Sequence, residues 1–444
     1  MAAGMARFLF AAWPFPGHLF PQIALAHALR ARGHDCAFYT GEQTAPVVRD
    51  EGFPVFPFRH VDEAALDRLM RSRPAEPWRP SNGPRVTLML RKWLLDTVPA
   101  QVRDLQEAVA TWRPHVIGSD PTMWAPMLVL AEMCDVEVAV CSFIPACPLP
   151  GPDAPPFGPG LPRPVDWSGA VAASIARFWA RVSGRMGRRA INEIRKTYRL
   201  PPVTLSATAC TGRMPLYLVP CTAEFDYGRR DLPSSVHYVG PYSWNRPRSD
   251  AASSWVAELR RPCVHVTEGT MHVHTPVLLR AALTGLADLP IQVVITTGGH
   301  RTLDDLAARS VAANIRVEQW VSHSELLPHV DAVVTTGGAG SVLATLAAGV
   351  PLVVVPTEWD KPEIAQRVVE AGAGIRLAPR HCTPQRLRES VLEVLGTPAF
   401  TQRARRLAES FARSGGAERA ADLLIALSRR RCDITSPQAR PLAV

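Results

Sequence analysis

Apolar residues in this chain gather into short continuous runs, and between the runs they recur at the three- and four-residue spacing of amphipathic helices. In the first half, Phe8 to Trp13, Cys36 to Thr40, Val116 to Gly118 and Val136 to Phe143 read as buried strands, with Gln22 to Ala31, Val86 to Thr111 and Met123 to Met133 as intervening helices. The second half repeats the pattern: Val264 to Thr267, Ile291 to Thr296, Ile315 to Val317, Ala332 to Thr335 and Leu352 to Val355 read as strands. Two such alternating series predict an α/β protein with two parallel, doubly wound, Rossmann-like sheets.

The break between the series falls near Leu218 to Ser253, where strand-like Tyr238-Val239-Gly240-Pro241 leads into a polar stretch, Asn245 to Ser254. The expected organisation is a first domain over 1–220, a connecting region over 221–255 and a second domain over 256–410. Helical spacing continues through Pro398 to Ser414 and Ala417 to Arg430, and the polar, proline-containing tail over 431–444 is expected to be disordered. Two long segments, Arg59 to Pro84 and Pro145 to Trp167, carry neither pattern. Loops of that length usually cover a site or lack order.

A length of 444 residues suffices for two cores, and 47% apolar residues with 20% charged suits a globular chain. Net charge is +9, almost all from arginine, since lysine occurs only at 92, 196 and 361. The arginines are spread along the chain, which argues against a nucleic-acid-binding stripe and is compatible with an anionic small-molecule partner. The nine cysteines are scattered without metal-ligand spacing and read as reduced core thiols of a cytoplasmic protein. Pro14, Pro16 and His18 break the first apolar run before it resembles a signal segment, and no run of about 18 apolar residues suggests integration into a membrane.

The densest signal is Val333-Val334-Thr335-Thr336-Gly337-Gly338-Ala339-Gly340-Ser341, followed by a helical stretch and Val350-Pro351-Leu352. It reads as strand, glycine turn, helix, strand. Such a turn brings backbone N–H groups to a helix N-terminus, which favours a phosphate; by itself it is equally a tight connection. Its neighbours in order are Gln319-Trp320-Val321-Ser322-His323 upstream and Glu358-Trp359-Asp360-Lys361-Pro362 with Ala365-Gln366-Arg367-Val368 downstream. Together they resemble the nucleotide-sugar signature of family 1 glycosyltransferases of the bacterial antibiotic type: W-V-x-x, H-G-G-x-G-[ST], G-V-P and D-Q-P-x-x-A-x-R-V.

That resemblance implies a GT-B architecture, two Rossmann-like domains facing a central cleft, with the last helix, 411–430, bracing the first domain. It implies an inverting O-glycosyltransferase that moves a sugar from a dTDP- or UDP-linked donor to a small hydrophobic acceptor, as monomer or homodimer. The nucleotide sugar is a co-substrate, and no cofactor or metal is expected.

His18 follows Pro16-Gly17 after the first strand, just before a helix expected to begin near Pro21, and Asp120 follows the strand at Val116 to Ser119. Both lie at carboxyl edges of a sheet, where ligands bind. A neutral imidazole there suits a general base, with Asp120 stabilising the imidazolium, although each side chain is also placed to cap a helix. The resemblance favours the catalytic pair. On the donor side it implies Gly17 among the donor-binding residues, with Thr270, Thr336, Gly337, Gly338, Gly340 and Ser341 around the diphosphate. Trp320 and Val321 would meet the base, with His323 beside them, and Asp360 and Lys361 the sugar. Trp78, Phe143, Phe157 and Trp167 are candidate acceptor walls. Thr336 stands for the usual histidine, Lys361 for glutamine, and Ala344 for a glutamate that many relatives use on the ribose, so donor identity is the least fixed feature. His34, His272, His274, His300 and His381 lack ligand spacing and read as structural. A nucleotide-sugar epimerase and a non-catalytic donor-binding auxiliary are the alternatives.

Overall fold

A computed structural model describes residues 5–74, 82–244, 253–270, 276–298 and 311–432. Seven strands build the first sheet: β1 (Arg7–Ala11), β2 (Asp35–Thr40), β3 (Val55–Pro57), β4 (Val116–Ser119), β5 (Glu137–Cys141), β6 (Leu216–Val219) and β7 (Val236–Tyr238). Six build the second: β8 (Cys263–Thr267), β9 (Gln292–Thr296), β10 (Ile315–Glu318), β11 (Ala332–Thr335), β12 (Leu352–Val354) and β13 (Gly374–Arg376). The strand orders are β3-β2-β1-β4-β5-β6-β7 and β10-β9-β8-β11-β12-β13, and every pairing is parallel. Each order reverses once, between β1 and β4 in one sheet and between β8 and β11 in the other. These are the two places where helices diverge and leave a crevice.

The continuous apolar runs follow from burial on both faces. In the second sheet Val264, Val266, Val293, Ile295 and Val334 enter one core, while their neighbours Cys263, Val294 and Val333 enter another. The last helix, Gly416–Cys432, returns to the first sheet, where Ala420, Ala421, Leu424 and Ile425 share a core with Phe8, Phe10, Leu19 and Ile23.

Several boundaries differ from the sequence expectations. The helix expected from near Pro21 runs Pro16–Arg30, because Pro16 takes the first helical position and Pro21 forfeits only one bond, to Gly17. The single helix expected over 86–111 is two, Gly83–Leu94 and Val98–Trp112, since Pro99 cannot donate to Leu95. Strands β3 and β13, of three residues each, have runs too short to stand out, and β6 lies at the expected boundary between the two series. The strand-like Tyr238 to Pro241 is instead β7, ending at Tyr238. Beyond Trp167 lies an unanticipated helix of 31 residues, Trp167–Thr197, opened by Asp166, whose carboxylate accepts from Gly169 N at 2.7 Å.

Several contacts join the halves, two of them at the helix Lys361–Glu370. Arg367, fully buried on the helix Lys361–Glu370, donates to Asp226 Oδ1 at 2.7 Å and to Glu363 Oε2 at 3.0 Å; Asp226 Oδ2 also accepts from Tyr238 and Ala146 N. The segment 145–167 lies on the same helix: Gly158 N and Gly160 N donate to Glu363 Oε1 at 2.8 and 3.2 Å, and Arg376 donates to the carbonyls of Pro159 and Gly160. A Cβ at Gly160 would stand 2.0 Å from the Pro362 carbonyl oxygen, so glycine is what permits this approach.

Candidate active site

His18 lies in the first turn of its helix, whose N-cap is Phe15, with no side-chain cap. The capping alternative for His18 is therefore not realised. Its Nδ1 is hydrogen-bonded to Asp120 Oδ2. Asp120 does both things open to it: Oδ1 caps the turn Pro121–Met123 by accepting from Thr122 N at 2.7 Å and Thr122 Oγ1 at 2.6 Å, while Oδ2 holds the imidazole. Its own N–H donates to Ala11 O at 2.9 Å, locking the end of β4 to the end of β1. The pair thus sits at the reversal of the first sheet. Asp120 is fully buried and the His18 side chain is 14% exposed, so one imidazole nitrogen is fixed from beneath and the other is left toward the crevice.

Aromatic rings enclose the imidazole. Phe143 lies 4.0 Å from it, centroid to centroid, with Phe15 at 5.4 Å and Trp93 at 6.5 Å. Trp93 also meets Trp359 edge-on at 5.5 Å, which carries the wall across to the second half. Trp359 has φ of +59°, a left-handed conformation costly for a bulky residue. Arg73 stands over its ring, and the guanidinium is buried with Glu358, donating to the two carboxylate oxygens at 2.7 Å each. This ion pair holds the turn that carries Asp360 and Lys361 against the first half.

Burial raises the Asp360 carboxyl above its ordinary range, opposed by Lys361 and His18. Burial likewise lowers the Lys361 ammonium, opposed by Glu358 and Asp360, and its Nζ donates to Thr357 Oγ1 at 2.9 Å. Trp93 meets both His18 and Trp359, so the turn bearing Asp360 and Lys361 lies against the aromatic wall of the His18 site.

The glycine turn sits at the reversal of the second sheet. Gly337 has φ of +90°, and a Cβ there would lie 2.8 Å from Val354 Cγ1. Gly338 caps the helix Ala339–Ala347 with extended backbone, so the first-turn N–H groups of Ala339, Gly340 and Ser341 have no carbonyl within the helix to bond. Thr336 is buried and donates its hydroxyl to Glu268 O at 3.0 Å. The proton expected for a diphosphate is committed to the backbone, and Thr336 serves instead to tie this turn to the one after β8. In that turn Gly269 N donates to Thr267 Oγ1, and Thr270 follows it.

Trp320, just beyond β10, is 41% exposed, while Val321 is buried. His323 opens a short helix and meets fully buried His265 edge-on at 5.9 Å. Burial lowers His265 to about 3, with a further push from His323, and lowers His323 to about 4, so both are neutral at pH 7. Among the acceptor candidates Phe143 lies on His18, and Phe157 is 43% exposed. Trp167 is 80% exposed and supplies no enclosed wall, because the Asp166 cap starts an outward-facing helix there. Trp78, His272, His274 and His300 lie outside the described residues. Gly17 occupies the helix turn beside His18, with open space where a Cβ would stand. No cluster of three or more metal-ligating side chains occurs among the described residues. Arg73, Trp93 and Glu358 were not apparent in the sequence, since Arg73 and Glu358 are 285 residues apart and neither stands in a pattern.

Comparison with known proteins accords with this fold. Residues 280–427 match the family model described as the C-terminal domain of erythromycin biosynthesis protein CIII-like proteins. The chain is 32% identical to the 4'-demethylrebeccamycin synthase of Lentzea aerocolonigenes over 94% of its own length and 99% of that protein. It is 26% identical to the demethyllactenocin mycarosyltransferase of Streptomyces fradiae, covering 95% of this chain and 86% of the relative. Among solved structures, the glycosyltransferase of kitacinnamycin superposes with a TM-score of 0.70 at 22% identity, covering 96% of this chain and 99% of that one. SnogD from Streptomyces nogalater gives 0.68 at 20%, covering 96% and 100%. A likeness that spans nearly the whole of both chains, on a fold with both crevices intact, makes this protein a member of the antibiotic and natural-product glycosyltransferases of GT-B architecture.

Proposed function

We propose that the chain transfers a sugar, with inversion, from a nucleoside diphosphate to a hydroxyl of a small hydrophobic acceptor, and that His18 is the base. The observation that carries this reading is the His18–Asp120 pair at the reversal of one sheet, with the turn bearing Asp360 brought beside it from the other. Asp120 accepts from Nδ1–H, which leaves the lone pair on Nε2 to take the acceptor proton. The acceptor oxygen forms its bond to the anomeric carbon as the bond from that carbon to the phosphate oxygen breaks. The electron pair leaves with the diphosphate, and Asp120 stabilises the resulting imidazolium without taking its proton.

Charge developing on the leaving group falls to the amides of Ala339, Gly340 and Ser341 and to the helix N-terminus, preorganised donors that need no metal. Trp320 would stack on the base and Asp360 accept from sugar hydroxyls. Ala344 offers no group to the ribose, so a thymidine donor loses nothing there relative to a uridine one. The glycosyltransferase VinC, of the same fold, was solved in complex with dTDP, and SsfS6 with thymidine diphosphate, which supports a dTDP-linked donor. The deciding experiment follows the product anomeric configuration by NMR with and without EDTA. Inversion that survives chelation is expected; retention, or activity lost to EDTA and restored by added metal, would overturn the reading.

A further inference from the structure

The helix Trp167–Thr197 presents an apolar face to solvent. Trp167, Val171, Ile175, Phe178, Trp179 and Met186 recur at helical spacing along one side and are each about half exposed or more, with Phe178 at 57% and Trp179 at 60%. Ala173 and Ile191, its buried apolar residues, point the opposite way, Ile191 into the core of the first half. Surface helices normally reverse this arrangement. A contiguous exposed patch of large apolar side chains marks a surface that something covers.

Charge along the helix says what kind of surface. Arg177 and Arg181 run along one edge of the apolar side, Arg185 and Arg189 follow on that side beyond Trp179, and Glu193, near the far end, is the one acidic side chain in the whole helix. A second copy of the chain would bring the same patch against itself, setting arginine against arginine with only Glu193 and the cap Asp166, at opposite ends of the helix, to offset them. The complement must instead be anionic and apolar at once. Bulky apolar and aromatic groups on one side, with arginines that reach outward from its edge, is the pattern of a helix lying in a membrane interface. The recurring arginines prevent it from spanning, and among the described residues no helix is long and apolar enough to cross a membrane.

We infer that the Trp167–Thr197 face docks on an anionic lipid bilayer. Phe178 and Trp179 insert at the headgroup boundary, and Arg181 and Arg185 engage lipid phosphates. The inference extends the proposed reading, since a bilayer surface concentrates the hydrophobic acceptors that reading assigns, but its test does not depend on transfer activity.

The test is flotation of the full-length protein with vesicles of phosphatidylcholine alone and of phosphatidylcholine with phosphatidylglycerol, alongside light scattering of the free protein. Binding should require the anionic lipid. Arg181→Glu with Arg185→Glu should weaken partitioning roughly tenfold or more, and Phe178→Asp with Trp179→Asp should abolish it at unchanged melting temperature and unchanged turnover of a water-soluble acceptor. Equal binding to neutral vesicles, no binding to anionic ones, or unaltered binding of the Phe178→Asp, Trp179→Asp protein would overturn the inference. So would a dimer in solution that this double variant converts to monomer, which would assign the face to a second copy. Should Phe178→Asp with Trp179→Asp lower the melting temperature, Phe178→Ser alone is to be assayed by the same flotation, with the same outcomes deciding.

Discussion

The two crevice edges solve the same problem with different materials. At the reversal of the first sheet the working group is a side chain, His18, fixed by a buried carboxylate and packed under Phe143. At the reversal of the second it is backbone: Gly337 in a left-handed conformation, and a helix start whose amides face outward. A side chain can be deleted without disturbing the fold beneath it, whereas a backbone site is altered only by bending the chain. Loss of the first should therefore appear in chemistry and loss of the second in donor binding.

The largest expected effect is on the side-chain edge. His18→Ala should lower turnover by roughly 10²-fold or more while leaving donor affinity nearly unchanged, read by steady-state kinetics beside calorimetry with the nucleoside diphosphate. Near-normal turnover would remove His18 from the mechanism. Asp120→Asn should cost less than this, since the carboxylate orients the base and does not exchange protons with substrate; a loss exceeding that of His18→Ala would show that the two roles have been assigned in the wrong order.

Buried His265, beneath the backbone edge, offers a contrast with His18. Its folded pKa of about 3 lies below the ordinary 6.5, so the unfolded chain binds a proton that the folded one refuses. Stability from this group is full above pH 6.5 and declines as pH falls toward 3, at up to about 1.4 kcal/mol per pH unit. Denaturant titrations at pH 7 and 5 should show a fall that His265→Gln reduces; an identical pH dependence in the variant would refute the assignment.

On the backbone edge, Gly337→Ala forces a Cβ into the left-handed region and against Val354, at a cost of about 1–2 kcal/mol. Diphosphate affinity should fall roughly tenfold with the base intact. Unchanged affinity would mean that the turn does not hold phosphate. Smallest is the nucleoside preference. A missing ribose contact is worth about 0.5–1.5 kcal/mol, so dTDP should bind at least as well as UDP. Tenfold tighter UDP would reveal a ribose partner other than the residue at 344.

These contrasts also explain what could be read from the sequence. Strands buried on both faces announce themselves as runs, and a glycine turn after such a strand is local, so the central strands of both sheets and the Gly337 turn were legible. The positions of His18 and Asp120 were legible too, because a carboxyl edge is defined by its own strand. Arg73 with Glu358, and Glu363 with Gly158 and Gly160, were not, because each pair is created by the meeting of two halves far apart in the chain. The Trp167–Thr197 helix is hard to read from sequence because its apolar spacing follows a proline- and glycine-rich stretch and is interrupted by three glycines of its own.

The anchoring of residues 158–160 on Glu363 and Arg376 has a consequence for recombination. By sequence this segment travels with the first half, yet by bonding it belongs to the second. A chimera made by joining halves of two relatives at the connecting region would import the segment without its sockets, and a carbonyl at 362 that tolerates only glycine opposite it would meet whatever the donor relative carries there. Exchanging the segment together with the helix Lys361–Glu370 and Arg376 keeps that joint whole, so the modular unit for redesign is discontinuous in sequence.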